Sequence, residues 1–374
     1  MNDRAAIRSM RSRQPGGLLI VGMLMLVVLL AYQLWLSYSD QVRAAETNAR
    51  NLAAIFETRL EATLRRTDAD LKALEEAIPM AALSQKAVPA YINEINANLD
   101  SRLFNVDEMA GYRVHDLNGD TLYATESERA SRGNIAHQAY FQELRQNPGA
   151  ALVFSELAIE RDSSRQVLII ARALHTERGK FAGVVLGMLE LENYRKQFQR
   201  LDLGSKGMIA LLRSDSHAQL VRWPNASGVL LEPLASDHPI ARSLDSGNRV
   251  MSLHYTLPPE NVSRIIGIAT VPHYPFYFVA GFGLDDVLAG WWTQAIVVGV
   301  SMGLLFGLVG FLLYRLGRMR VREAGILTNL AQSRMMFSEL AQLVPVGICH
   351  FDRRGFCTFF NDRHLALTGR CREQ

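Results

Sequence analysis

Residues 109–125 read Met109-Ala110-Gly111-Tyr112-Arg113-Val114-His115-Asp116-Leu117-Asn118-Gly119-Asp120-Thr121-Leu122-Tyr123-Ala124-Thr125. Two short runs suited to extended backbone flank a polar centre. Asn118-Gly119 supplies the positive φ angles of a tight hairpin, so the stretch predicts strand, turn and returning strand. A helix is expected next over 138–146, stopped at Asn147-Pro148-Gly149. Strands are expected at 151–155, 166–173 and 181–188, the last two joined through Gly179. After a helix over 191–201 the same order returns. It runs as strand 207–213, a turn at Ser214 to His217, strand 219–222, a helix over 238–244 ending at Ser246-Gly247, then strands 250–255, 263–269 and 276–282. Hairpin, helix and antiparallel strands, twice in order, predict two stacked α/β modules.

Upstream, residues 40–78 carry no proline until position 79. Leu52, Ile55, Phe56, Leu60, Leu64, Leu71, Leu74 and Ile78 recur at helical spacing. Arg50, Glu57, Arg59, Glu61, Arg65, Arg66 and Asp70 occupy the other face. One long stalk helix is expected, making a dimer contact near its start and packing on a sheet further out. A second helical stretch should reach about Leu103.

Further outward lie two uncharged apolar stretches, 16–38 and 287–314. A membrane-crossing helix needs about 20 such residues. The first lacks the small-residue cleavage site of a signal peptide, so a retained anchor is expected. Trp291 and Trp292 open the second, where aromatic rings favour the headgroup zone. Arg4, Arg8, Arg11 and Arg13 precede the first stretch; Arg315, Arg318, Arg320 and Arg322 follow the second. The positive-inside tendency places both ends in the cytoplasm and residues 40–286 outside.

Composition fits this layout. Forty basic against 37 acidic side chains leave no strong positive field, which argues against a nucleic-acid partner. The three cysteines, Cys349, Cys357 and Cys371, all follow the second stretch, so the outer segment is expected to rely on its core alone. No metal-ligand spacing, phosphate loop or nucleophile elbow is present, and neither metal nor cofactor is expected. The sequons at Asn225 and Asn261 read as chance.

Several phrases carry a family resemblance. They are Asp116-Leu117-Asn118-Gly119, Ala139-Tyr140-Phe141, the run from Val167 to Leu174, and Gly179-Lys180-Phe181-Ala182-Gly183-Val184-Val185. Residues 112–198 resemble the membrane-distal half of a double Cache (PDC, PAS-like) sensor domain. The second half, with Leu212-Arg213-Ser214-Asp215 and Tyr274-Pro275-Phe276, resembles the proximal module. The whole resembles the form of this domain found in diguanylate cyclases and sensor histidine kinases. The expected fold class is therefore α+β, with a long N-terminal stalk helix and two stacked PAS-like (Cache) α/β modules between two transmembrane helices. The expected layout is a cytoplasmic start at 1–15, a span at 16–38, the sensor at 40–286 (stalk 40–78, distal module 79–200, proximal module 201–286), a span at 287–314, a linker at 315–335 and a partial PAS segment at 336–374.

Arg172 is the first ligand candidate. It interrupts an apolar strand, and a forked guanidinium suits a carboxylate. The resemblance places the matching arginine at the pocket floor; an internal ion pair to Glu156 or Glu160 is the competing reading. Where the family often has Asp-Arg-x-Tyr-Phe, this chain has His137-Gln138-Ala139-Tyr140-Phe141. The aromatics match and the charged pair does not. Tyr140 and His137 are candidates for directional hydrogen bonds. Ser155, Tyr123, Arg165 and Arg161 complete the set, and the arginines favour a small organic anion.

Gly299, Gly303 and Gly307 make two consecutive small-xxx-small steps, an expected seam for a homodimer in the membrane. Beyond the linker, Pro345-Val346-Gly347-Ile348, Asp352 to Gly355, Phe360-Asn361 and Leu367-Thr368-Gly369 resemble the opening of a PAS domain. The PAS segment is expected to be truncated, or completed by a separately encoded remainder. The expected function is the input portion of a diguanylate cyclase-type protein in the bacterial inner membrane, without catalysis of its own. The alternatives are a histidine kinase input or a membrane-anchored solute-binding accessory of a transporter. Residues 315–336 are too short for the relay of a chemoreceptor.

Overall fold

The computed structural model describes residues 14–104, 108–128, 133–159, 165–224, 233–234, 238–244, 250–257 and 262–368. The four N-terminal arginines, Glu160, Arg161, Ser246-Gly247, both sequon asparagines, Gly369 and Cys371 lie outside them. The chain forms two compact units, Met1–Thr293 and Gln294–Gln374.

In the first unit, helix α1 (Gln14–Ala77) runs unbroken from the first apolar stretch into the stalk. Helix α2 (Val88–Leu103) folds back after a short 3-10 turn at Met80–Ala82. The distal sheet has the order β2-β1-β6-β5-β3, with β4 also on β5. Its strands are β1 (Met109–Asp116), β2 (Thr121–Ala124), β3 (Val153–Phe154), β4 (Ala158–Ile159), β5 (Gln166–His175) and β6 (Phe181–Glu190). Helix α3 (Ala139–Gln146) lies between β2 and β3, and α4 (Leu191–Phe198) links the modules. The proximal sheet has the order β8-β7-β11-β10-β9. It is built from β7 (Met208–Arg213), β8 (Gln219–Trp223), β9 (Val250–Leu257), β10 (Val262–Thr270) and β11 (Phe276–Gly283), with α5 (Pro239–Leu244) between β8 and β9. The strand expected over 151–155 is shorter than the sequence suggests. The regular strand ends at Phe154, Ser155 still bonds Ile169 of β5 through its amide and its hydroxyl, and the separate short strand β4 pairs with β5 further on.

One face of each sheet packs on the stalk. Leu60, Leu64, Leu71 and Leu74 are fully buried there, against Tyr112, Val114, Ile170 and Val185 of the distal sheet. Nearer the first apolar stretch, Ala45, Ala49 and Ala53 are also buried. They bring the helix so close to β10 that a Cβ on Gly267 would fall within 3.0 Å of the Ala49 carbonyl group and the Arg50 nitrogen. The start of the stalk is thus sheet-packed too, because three alanines at i, i+4 and i+8 let the backbones approach. Ile55, placed in the apolar stripe from sequence, is 63% exposed.

The modules are tied by Arg213 on β7. Its Nη1 donates to the Ser155 carbonyl at 2.5 Å and the Phe154 carbonyl at 3.3 Å, while Nε and Nη2 grip Asp215 at 2.8 and 2.5 Å. That grip holds the Asp215 carboxyl below its ordinary range. The Phe154 ring packs edge-on against Phe276 at 5.0 Å.

Helix α6 (Leu284–Leu343) carries the second apolar stretch. Both α1 and α6 contain windows long and apolar enough to cross a membrane, and neither window is buried by the protein. Within the first unit, the Trp291 indole N–H donates to the Leu34 carbonyl at 2.9 Å, and its ring meets Tyr38 edge-on at 5.5 Å. In the second unit, β12 (Cys349–Phe351) and β13 (Cys357–Phe360) form a hairpin followed by α7 (Asp362–Thr368). Buried Asn361 fastens this hairpin to the end of α6. Its Nδ2 donates to the Ala341 and Val346 carbonyls at 2.8 Å, and its Oδ1 accepts from the Ile348 and His364 amides.

Candidate functional site

Residues directly opposite on antiparallel strands share a face, so register assigns each candidate to one side of the distal sheet. Arg172 pairs with Val185, which faces the stalk. Its guanidinium is bonded to Asp68 of α1, with Glu75 3.7 Å away. Glu156, expected as an alternative partner, is not one of these, and Glu160 lies outside the described residues. Arg172 joins sheet to stalk and lies on the opposite side from Tyr140. Tyr123 pairs with Val114, again on the stalk side, and its hydroxyl donates to the Ala82 carbonyl at 2.9 Å. Both were selected from sequence for a pocket, and both serve packing of the helices instead.

Ser155 is buried, and its polar atoms are engaged. Oγ accepts from the Ile169 amide at 3.0 Å and donates to the Glu156 carbonyl at 2.6 Å. Its carbonyl belongs to Arg213. His137 is exposed beside Gln138, 3.2 Å away. Gly299, Gly303 and Gly307 lie along α6, where an added Cβ would meet open space.

The face away from the stalk gathers the rest. Tyr140, Phe141 and Leu144 of α3 pack there on Ala171, Val184, Leu186 and Met188. Arg113 pairs with Leu186 and His115 with Val184, so both belong to this face. Glu128, in the 3-10 turn Glu126–Glu128, is 1% exposed. It receives Arg113 on one oxygen and Arg165 on the other, the latter at 2.7 Å. Gly111 makes room for it, since a Cβ there would collide with the Glu128 side chain. Arg113, Arg165 and Glu128 each make a further interaction besides these. Burial pushes the Tyr140 phenol up to about 12, with Arg113 opposing, so the hydroxyl stays a hydrogen-bond donor.

His115 is fully buried on the same face. Its Nδ1 lies 3.2 Å from the Gly119 carbonyl, which can only accept, so Nδ1 carries the proton. Nε2 is then a buried acceptor, with no donor among the described residues. Burial pulls this imidazole down to about 4. Between pH 6.5 and 4 the unfolded chain therefore binds a proton that the folded chain refuses. Stability is complete above about pH 6.5 and falls as the pH drops towards 4, by about 3 kcal/mol in all. Thermal unfolding of the full chain in nanodiscs should show this slope, and His115→Asn should flatten it. An unchanged slope in the variant would assign it to other groups.

Arg113, Glu128 and His115 were not selected from sequence. The alternation Tyr112, Arg113, Val114, His115 did carry the signal for the two strand residues, with polar members on one face and apolar ones on the other. Glu128 had none, because its role depends on a chain crossing 15 residues from Arg113 and 37 from Arg165.

No family model matches the sequence, and no curated protein matches it. Solved structures do. The extracellular domain of the protein named as histidine kinase rpHK1S-Z16 superposes with a TM-score of 0.55 at 23% identity, covering 67% of this chain and 98% of that one. The periplasmic sensory domain of the Campylobacter jejuni chemoreceptor Tlp1 gives 0.54 at 10% identity, covering 66% and 98%. This chain shares the fold of those two domains. The ligand-binding domain of the C. jejuni chemoreceptor Tlp3, crystallised with L-valine, gives 0.47 at 14% identity, covering 67% and 97%.

Proposed function

We propose that this chain is the input portion of a bacterial transmembrane sensor, with a double Cache domain that binds a small extracytoplasmic ligand at the face of the distal sheet away from the stalk. The observation carrying this reading is the convergence there of Arg113, Glu128, Arg165, Tyr140 and the unmatched His115 Nε2. A buried polar set of this kind costs stability unless something uses it. A forked guanidinium suits a ligand carboxylate, and the His115 Nε2 would accept from a hydroxyl or amino group on the same ligand. In this reading α1 and α6 cross the inner membrane, the Gly299, Gly303 and Gly307 seam pairs two copies, and a PAS-like segment receives the signal inside. The resemblance favours a diguanylate cyclase-type output, with a histidine kinase output as the alternative; catalysis belongs to that output and not to this stretch.

A panel of small carboxylates at millimolar concentration should raise the Tm of the full chain in nanodiscs. Tyr140→Phe should weaken the response about ten-fold, the loss of one hydrogen bond. Arg172→Ala should instead lower the Tm of the unliganded protein, costing about 1–2 kcal/mol for the lost stalk contact, and leave the concentration dependence of the shift intact. If no carboxylate moves the Tm, or if Arg172→Ala alone removes the shift, the assignment of the face is wrong.

A further inference from the structure

The proximal module repeats the distal plan, including its unmatched polar atoms. Ile209, Leu211, Phe276 and Phe278 join the stalk-side core. On the other side Met208, Ala210, Leu212, Ile266, Ile268 and Val279 form a second apolar layer, covered by Ile240 of α5. Tyr277 sits within this layer, opposite Leu212 in register, and is fully buried. Its hydroxyl has no hydrogen-bond partner among the described residues. The His217 ring lies 6.5 Å from the Tyr277 ring, centroid to centroid. Its Nδ1 is likewise buried and without a partner there.

Neither group is explained by packing. Phenylalanine would fill the space of Tyr277 without burying an unmatched hydroxyl, which is costly. His217 is held at φ +53°, a conformation that side chains rarely adopt. Its carbonyl accepts the Leu234 amide at 3.1 Å, which brings Leu234 onto the same apolar layer. The Tyr277 phenol and the His217 imidazole are therefore held as ring neighbours at the margin of this layer.

We propose that this face of the proximal module is a second binding site, which takes a small neutral molecule with one hydroxyl, carbonyl or amide group on a short apolar body. The walls are aliphatic, and burying a net charge among them is unfavourable. Arg213 faces the other way and is paired with Asp215. Arg222 shares the face, opposite Ala210, and already has an interaction of its own. Burial pushes the Tyr277 phenol up, so it remains an O–H donor. The imidazole nitrogen donates or accepts according to its tautomer. One donor beside one adaptable nitrogen matches a single neutral polar group.

Ligand-observed saturation-transfer NMR on the full chain in nanodiscs tests this, with propan-2-ol, acetone and acetamide as neutral probes and acetate as the anionic one. At least one neutral probe should receive saturation, with acetate lower. Tyr277→Phe should cut the neutral signal about ten-fold, the loss of one hydrogen bond. That variant should fold normally, with a probe-free Tm equal to or above the parent's, because it removes only an unmatched hydroxyl. Tyr140→Phe, in the other module, should leave the signal in place, so that the two sites stand or fall separately. Absence of transfer from every neutral probe, transfer that survives Tyr277→Phe, or preference for acetate would each overturn the proposal.

Discussion

Gly267→Ala is expected to cost the folded chain about 3 kcal/mol or more, at the upper end of overpacking effects. Gly267 is where the stalk comes closest to the proximal sheet, and the atoms that an added methyl would strike are main-chain atoms of Ala49 and Arg50. A side chain struck in this way changes rotamer; a helix backbone has no such escape. Helix α1 would have to lift from β10 along Ala45, Ala49 and Ala53, opening the contact over a stretch far larger than one methyl. Thermal unfolding in nanodiscs measures the loss. Gly133→Ala is the control, since an added Cβ there meets nothing within 4 Å among the described residues. Equal stability of the two variants would show that the close approach is not a constraint on the fold.

Glu128→Gln should destabilise the distal module by about 3–5 kcal/mol, the range for breaking a buried ion pair from one side. The substitution conserves shape and removes the charge that Arg113 and Arg165 share. Both guanidiniums, 13% and 30% exposed, would lose their ion pair to it. The loss should localise. Amide exchange should accelerate in β1 and in the Glu126–Glu128 turn, while β10 and β11 keep their protection. If the variant's Tm is unchanged, Glu128 is not the centre of that cluster. A site prepared for an anion adds a second expectation: millimolar carboxylate should bind Glu128→Gln at least as tightly as the parent, because the competing carboxylate is gone.

The order of elements was legible in the sequence because strand alternation and helical spacing are local. Asn118-Gly119 marked the first hairpin, and β5, β6, β7, β10 and β11 fall where apolar runs were found. Strand ends were less legible. The run over 151–155 carries the residue types of a strand, yet the regular strand covers only Val153–Phe154, and the Ser155 carbonyl is taken by Arg213, a residue from the other module. Ile55 read as core because its spacing was right, but the apolar stripe on α1 is narrower than the spacing alone implies, and Ile55 falls beyond its edge.

The candidate site was legible only in part. A period of two divides a strand into two sets of side chains, and it does not say which set the stalk will cover. Arg172 and Tyr140 were grouped because both lie in matching family phrases, and the fold puts a sheet between them. Arg172 found its acids on α1, about a hundred residues earlier in the chain. The sequence by itself determined two α/β modules in tandem, a stalk helix before them and two apolar helices around them, since all of these rest on periodicity and turn chemistry within short windows. Only the tertiary structure decided which face of each sheet was spent on the stalk and which was left with Arg113, His115 and Glu128. That choice depends on contacts between residues far apart in the chain, where local pattern carries no information.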